Sequence, residues 1–357
     1  MGRNVVVCCD GTANEFAENN TNVVRLYSAL IDDPQRQVVF YHPGAGTMEA
    51  PGALTTLGRK ATVAAGLAFG YGLQDDIVAA YAFVMNSFKE SEGDRLFLFG
   101  FSRGAYTVRA VASLLHACGV LRAGHETSIP YAIRLLNSIR QDSPHIVDKF
   151  KSTFSCGECK PYFVGVWDTV SSVGWINNPL HVPYSANNPD IAIGRHAISI
   201  DERRAFYRPN RWIPADPPKP AGPKDLKQVW FAGAHCDVGG GYPEAEGGLS
   251  KIALKWMIKE AEAKGLLVDP ARRDEVIAAG QGPDPNATMH DEMKARRAWW
   301  MAEYVPKRRY DFQTGEKTWH INQGHARRLP PGALIHESVF ARAGYKPPLP
   351  ADFQKVD

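Results

Sequence analysis

Gly100-Phe101-Ser102-Arg103-Gly104 matches the pattern G-x-S-x-G. An apolar run, Asp94 to Phe99, enters it, and a helix-patterned segment, Ala105 to Cys118, leaves it. A serine in that setting sits on a sharp strand-to-helix turn. The turn lifts its hydroxyl above the sheet edge and brings the following N–H, that of Arg103, to where an oxyanion forms. Gly100 and Gly104 keep that turn free of side chains. The chemistry expected is nucleophilic attack on an ester carbonyl. The plain alternative is a glycine-flanked turn with an inert serine.

A serine nucleophile needs a base, and the base needs an orienting acid. On an α/β sheet these follow in chain order, each near the C-terminal end of a strand. Asp168 directly follows the strand-like Tyr162 to Trp167. His235 lies just past Val229 to Ala232, among glycines that let the backbone turn sharply. Of the eleven histidines, His196 is the rival base, though a structural or substrate-contact role suits it better. Asp237, two residues from His235, is the rival acid. The second oxyanion donor is expected from the loop after the first strand, Asp10-Gly11-Thr12. There the N–H of Gly11 or Thr12 would serve and Asp10 would hold the loop, with an ordinary Asx-turn as the alternative.

The elements that must place these residues alternate in type. Asn4 to Cys9, Gln37 to Tyr41, Asp94 to Phe99, Tyr162 to Trp167 and Val229 to Ala232 read as strands. Val23 to Ile31, Leu73 to Phe88, Ala105 to Cys118 and Leu249 to Lys264 have helical spacing, with weaker helical pattern at Pro130 to Arg140 and Ile146 to Phe150. This predicts an α/β-hydrolase-like fold: a mainly parallel central sheet flanked by helices, with loop insertions forming a cap. A single domain over 1–357 is expected. Insertions would lie at about 175–228 and an irregular C-terminal segment at about 284–357.

The bulk numbers narrow the partners. A net charge of +3 with 22% charged residues argues against a dedicated nucleic-acid binder, and Lys294 to Arg297 and Lys307 to Arg309 read as solvated surface. No G-x-G-x-x-G follows the first strand, which disfavours a dinucleotide cofactor. No cofactor is expected. The six cysteines include buried-looking Cys8, Cys9 and Cys118 and fit a reducing compartment. Cys156 and Cys159 form a lone CxxC, a weak metal signal. Ala61 to Leu73 is shorter than the ~20 residues of a membrane span. With no cleavable signal visible, the expected location is cytoplasmic, or outside the cell by export without one.

Five pieces in order are similar to the DUF2235 group, an uncharacterised α/β-hydrolase domain family that includes the catalytic domain of Tle1-type phospholipase effectors of type VI secretion. They are Val7 to Thr12, Gly100 to Tyr106, Gly165 to Val170, His196 to Arg203 and Trp230 to Tyr242, with Ile335 to Ser338 also similar. The resemblance implies a Ser-Asp-His triad at Ser102, Asp168 and His235. It also implies hydrolysis of carboxylic esters through an acyl-enzyme, phospholipid acyl esters above all. Short-chain or polymeric soluble esters are the alternative substrates, and a non-catalytic binding module of the same fold is the alternative function. Trp299, Trp300 and Tyr304, beside Lys307, Arg308 and Arg309, offer either peripheral contact with a membrane or an aromatic core.

Overall fold

In the first strand, β1 (Asn4–Cys9), every side chain is buried, so it belongs in the middle of a covered sheet. Its residues alternate between two cores. Val5, Val7 and Cys9 face one cluster with the helices α2 (Leu73–Ser87) and α3 (Arg103–Cys118). Val6 and Cys8 face another with α1 (Asn22–Ala29) and α5 (Gly248–Glu262). The period of two along the strand thus builds a three-layer α/β/α arrangement. Each large apolar side chain so covered is worth about 1.5–3 kcal/mol.

The computed structural model describes residues 2–11, 19–44, 72–138, 144–170, 174–175, 178–179, 182–212, 222–310 and 317–357. Thr12, residues 61–71, residues 176–177 and 180–181 of the loop at 175–189, and the proline-rich 213–221 lie outside them, as do the side chains of Lys307, Arg308 and Arg309. No described helix is long and apolar enough to cross a membrane.

Besides β1, the central sheet holds β2 (Gln37–His42), β3 (Arg95–Phe101), β4 (Phe163–Trp167), β5 (Ile193–Ser199), β6 (Asp225–Phe231), β7 (Leu334–His336) and β8 (Gln354–Val356). The eight strands run in the order β8-β7-β6-β5-β4-β3-β1-β2, and all neighbours are parallel. The chain leaves β1 for β2 on one side and returns to β3 on the other. The crevice at the carboxyl ends of β1 and β3 is therefore the switch point where such sheets bind ligands.

Two expectations change. The stretch 175–228 is not one insertion: β5, inside it, is a fully buried central strand. Arg195 and His196 break its apolar pattern and hid it. Arg195 is tolerated because it donates to Asp225 (Oδ1, 2.9 Å; Oδ2, 3.0 Å) and to Glu260 (2.5 Å). The C-terminal segment is not merely irregular either. It supplies β7 and β8, and Ala333, Ile335 and Val339 form a third core with Ile198, Ile200, Trp230 and Ala232.

Candidate active site

Ser102 stands between β3 and α3 with φ 57° and ψ −117°, a conformation non-glycine residues rarely adopt. The turn persists because its neighbours are small. A Cβ on Gly104 would lie 2.1 Å from the Cys9 carbonyl oxygen and 2.4 Å from that of Asp10; one on Gly100 would lie 2.5 Å from the Gly104 carbonyl oxygen. The Ser102 N–H donates to the Trp167 carbonyl (3.1 Å), which ties the turn to the end of β4. Arg103 is the first residue of α3, so its amide is among the first-turn donors that find no acceptor within the helix.

Asp168, directly after β4, is fully buried with φ 39°. His235 opens the short helix α4 (His235–Gly239) after β6. Its Nδ1 lies 2.5 Å from Asp168 Oδ2. Its ring packs 4.6 Å from that of Phe101, the residue before Ser102, and 4.7 Å from that of Tyr207. The structure thus joins Asp168 and His235 across 67 residues of sequence and sets the pair beside the serine turn. Burial lowers the His235 pKa, opposed by its bond to Asp168. Burial alone would raise the Asp168 pKa, but Arg327 and His235 override it and hold the carboxyl well below the usual range.

His196 lies apart from this pair, in β5. Its Nε2 accepts the Thr169 N–H at 3.1 Å, so it braces the turn after Asp168. Burial, aided by Arg109, lowers its pKa to about 3. Asp237 accepts from the Ala234 N–H (2.9 Å) and holds His290 Nδ1 (2.7 Å), so it shapes the His235 turn and does not reach the His235 ring. Asp10 is buried. It accepts from Thr21 Oγ1 (2.6 Å), Tyr41 OH (3.1 Å) and the Gly11 N–H (2.6 Å). In this conformation the Gly11 amide is therefore engaged within its own turn. Cys156 is exposed and Cys159 buried. Among the described residues no group of three or more His, Cys, Asp or Glu could hold a metal ion.

Sequence reasoning missed three neighbours. Arg327 grips Asp168 from the far side, with Nη1 2.5 Å from Oδ1 and Nη2 3.0 Å from Oδ2. Ser199, at the end of β5, donates to Asp168 Oδ1 through its N–H (3.0 Å) and hydroxyl (3.2 Å). Glu202 accepts the His235 N–H (3.2 Å) and pairs with buried Arg204 (2.7 Å). Glu202 lies in a segment already singled out, but Arg327 stands in no motif. Of the aromatic residues, Trp299 packs edge-on against Tyr207 (5.9 Å), while Tyr304 is exposed, as is the neighbouring Met301.

Residues 3–260 match the family model described as "T6SS, Phospholipase effector Tle1-like, catalytic domain". The uncharacterized protein YEL023C of Saccharomyces cerevisiae is 32% identical over 223 residues, which is 58% of this chain and 32% of that protein. An uncharacterized protein from Pseudomonas aeruginosa has a solved structure with TM-score 0.48 and 20% identity over 76% of this chain and 47% of that one. A Tle1 effector solved bound to the VgrG spike of the type 6 secretion system gives TM-score 0.39 and 14% identity, over 70% and 53%. The chain spans about a third of that yeast protein and about half of each solved chain.

Proposed function

The chain belongs to the family of Tle1-like phospholipase effector catalytic domains, and from that premise we propose that it is a serine esterase acting on phospholipid or other lipid acyl esters. The observation that carries this reading is the buried His235–Asp168 pair, 2.5 Å apart, packed against the strained serine turn. In this reading His235 takes the proton from the Ser102 hydroxyl as its oxygen attacks the ester carbonyl. Asp168 fixes the imidazole tautomer and stabilises the imidazolium. The Arg103 amide donates to the oxyanion. His235 returns the proton to the leaving alcohol, and water then resolves the acyl-enzyme by the same route.

The test is hydrolysis of p-nitrophenyl esters of rising chain length beside phospholipid vesicles, by wild type and Ser102→Ala. Release of fatty acid from vesicles by wild type alone supports the proposal. Serine-dependent cleavage of short esters only would make the protein a general carboxylesterase. If Ser102→Ala retains the activity, the mechanism is wrong.

A further inference from the structure

The matched region ends at residue 260, yet the candidate centre does not. Arg327 reaches it from the segment between α5 and β7. Its side chain is almost wholly enclosed and spans both oxygens of Asp168. Nη1 also donates to the Ser199 carbonyl (3.1 Å) and hydroxyl (2.7 Å), and Nη2 to the Tyr207 carbonyl. The guanidinium therefore ties together the turn after β4, the end of β5 and the Tyr207 segment whose ring packs on His235.

The backbone carrying Arg327 is itself anchored. Glu303, fully buried, accepts from the Ala205 N–H (2.6 Å), Asn322 Nδ2 (2.5 Å) and the Gly324 N–H (3.0 Å). Arg203 Nε donates to the Gly324 carbonyl (2.7 Å), and Asn322 Nδ2 to the Arg203 carbonyl (2.7 Å). An exposed arginine meeting a carboxylate by chance would not be built in this way.

We propose that Arg327 is a positioning residue of the catalytic centre, a planar fork that holds the Asp168 carboxylate in the one orientation that serves His235. The proposal rests on the serine-hydrolase reading of Ser102, Asp168 and His235. Only arginine can donate two parallel hydrogen bonds to a carboxylate in this geometry. The fork also draws on the charge of Asp168 and leaves less of it to stabilise the imidazolium. The other groups around His235 are Glu202 and Arg204 after β5, Tyr207, and Cys236 on α4.

The sign of the effect follows. His235 acts as a base only when neutral. Without Arg327, the unshared charge of Asp168 lets His235 keep its proton to higher pH. The acid limb of the rate profile therefore moves upward.

The experiment measures the rate of Ser102 labelling by a fluorophosphonate probe, and kcat and KM on p-nitrophenyl butyrate, across pH 4–9 on the full chain. Wild type, Arg327→Gln, Arg327→Lys and Ser102→Ala are compared. Arg327→Gln should lower kcat by about 10-fold or more with KM little changed, and move the acid limb up by about one pH unit. Arg327→Lys keeps the charge, so its limb should stay while kcat falls. A folded Arg327→Gln with the wild-type rate, or with a slower rate and an unmoved limb, would overturn the proposal. If Arg327→Gln does not fold, Arg327→Lys decides: wild-type kcat in that variant overturns it, and a lower kcat at unchanged KM supports it. Absence of labelling in wild type itself would instead sink the nucleophile assignment.

Discussion

Asp168 accepts from Ser199 and from Arg327 and faces His235, and is itself fully buried. A buried carboxylate is costly unless paired and hydrogen-bonded, and here every side of it is used. Asp168→Asn should keep the fold, since asparagine accepts the positive φ. It would present the wrong tautomer to His235. The expected result is a fall of about 10³–10⁴-fold in kcat on a soluble ester, with the far-UV spectrum unchanged. Wild-type turnover would mean that Asp168 does not orient the base. At this scale the sequence was partly legible. Ser102 lay in a patterned turn, and Asp168 and His235 followed from strand ends in order. Arg327 could not be found, because it lies 159 residues from its partner and no periodicity or motif marks it.

Two helix starts set the geometry around those residues. At the start of α3, Gly104 packs its Cα against the backbone at the end of β1, where a methyl group would meet the Cys9 and Asp10 carbonyl oxygens. Backbone cannot swing aside as a long side chain can. Gly104→Ala should cost about 1–3 kcal/mol and slow Ser102 labelling, measured by urea unfolding and probe kinetics. A variant with unchanged stability would show that the turn has room.

At α4, His290 lies between Asp237 Oδ1 (2.7 Å) and Glu246 Oε2 (2.9 Å) and stacks on Tyr242 at 3.6 Å. The hydrogen bond to Asp237 raises its pKa against the opposing effect of burial. A raised folded-state pKa contributes stability in full below the unfolded value, about 6.5, and loses it as pH rises through the folded value. The stability of wild type over His290→Gln should therefore shrink between pH 6 and pH 8.5 in urea unfolding. A difference that stays flat or grows would remove the charged clamp. Element boundaries were legible where the apolar pattern was clean, as at β1 and α3. They failed at β5, where the long-range partners of Arg195 let a charged residue sit in a core strand.

The whole molecule extends its working unit past the region that the family model matches. That region ends with α5, but β7 and β8 continue the sheet beyond β6. Ile335 and Val339 cover Trp230 and Ile198, and Glu303 and Arg327 brace the candidate centre. The segment read as irregular because its order comes from contacts with distant strands and not from local periodicity. Removing residues 264–357 would uncover Trp230, Ile198, Ile200 and the α1–α5 face packed by Leu266 and Val268. At about 1.5–3 kcal/mol for each large apolar side chain, the loss is on the order of 10 kcal/mol, as large as the whole stability of a typical domain. A chain ending at Ala263 should therefore fail to melt cooperatively and fail to take up a fluorophosphonate at Ser102. Should it instead be soluble, melt sharply and label at the wild-type rate, the matched region would be a complete catalytic unit and the C-terminal segment an accessory to it. The failure of both measurements would place part of the catalytic architecture in those last 94 residues, beyond what the family model covers.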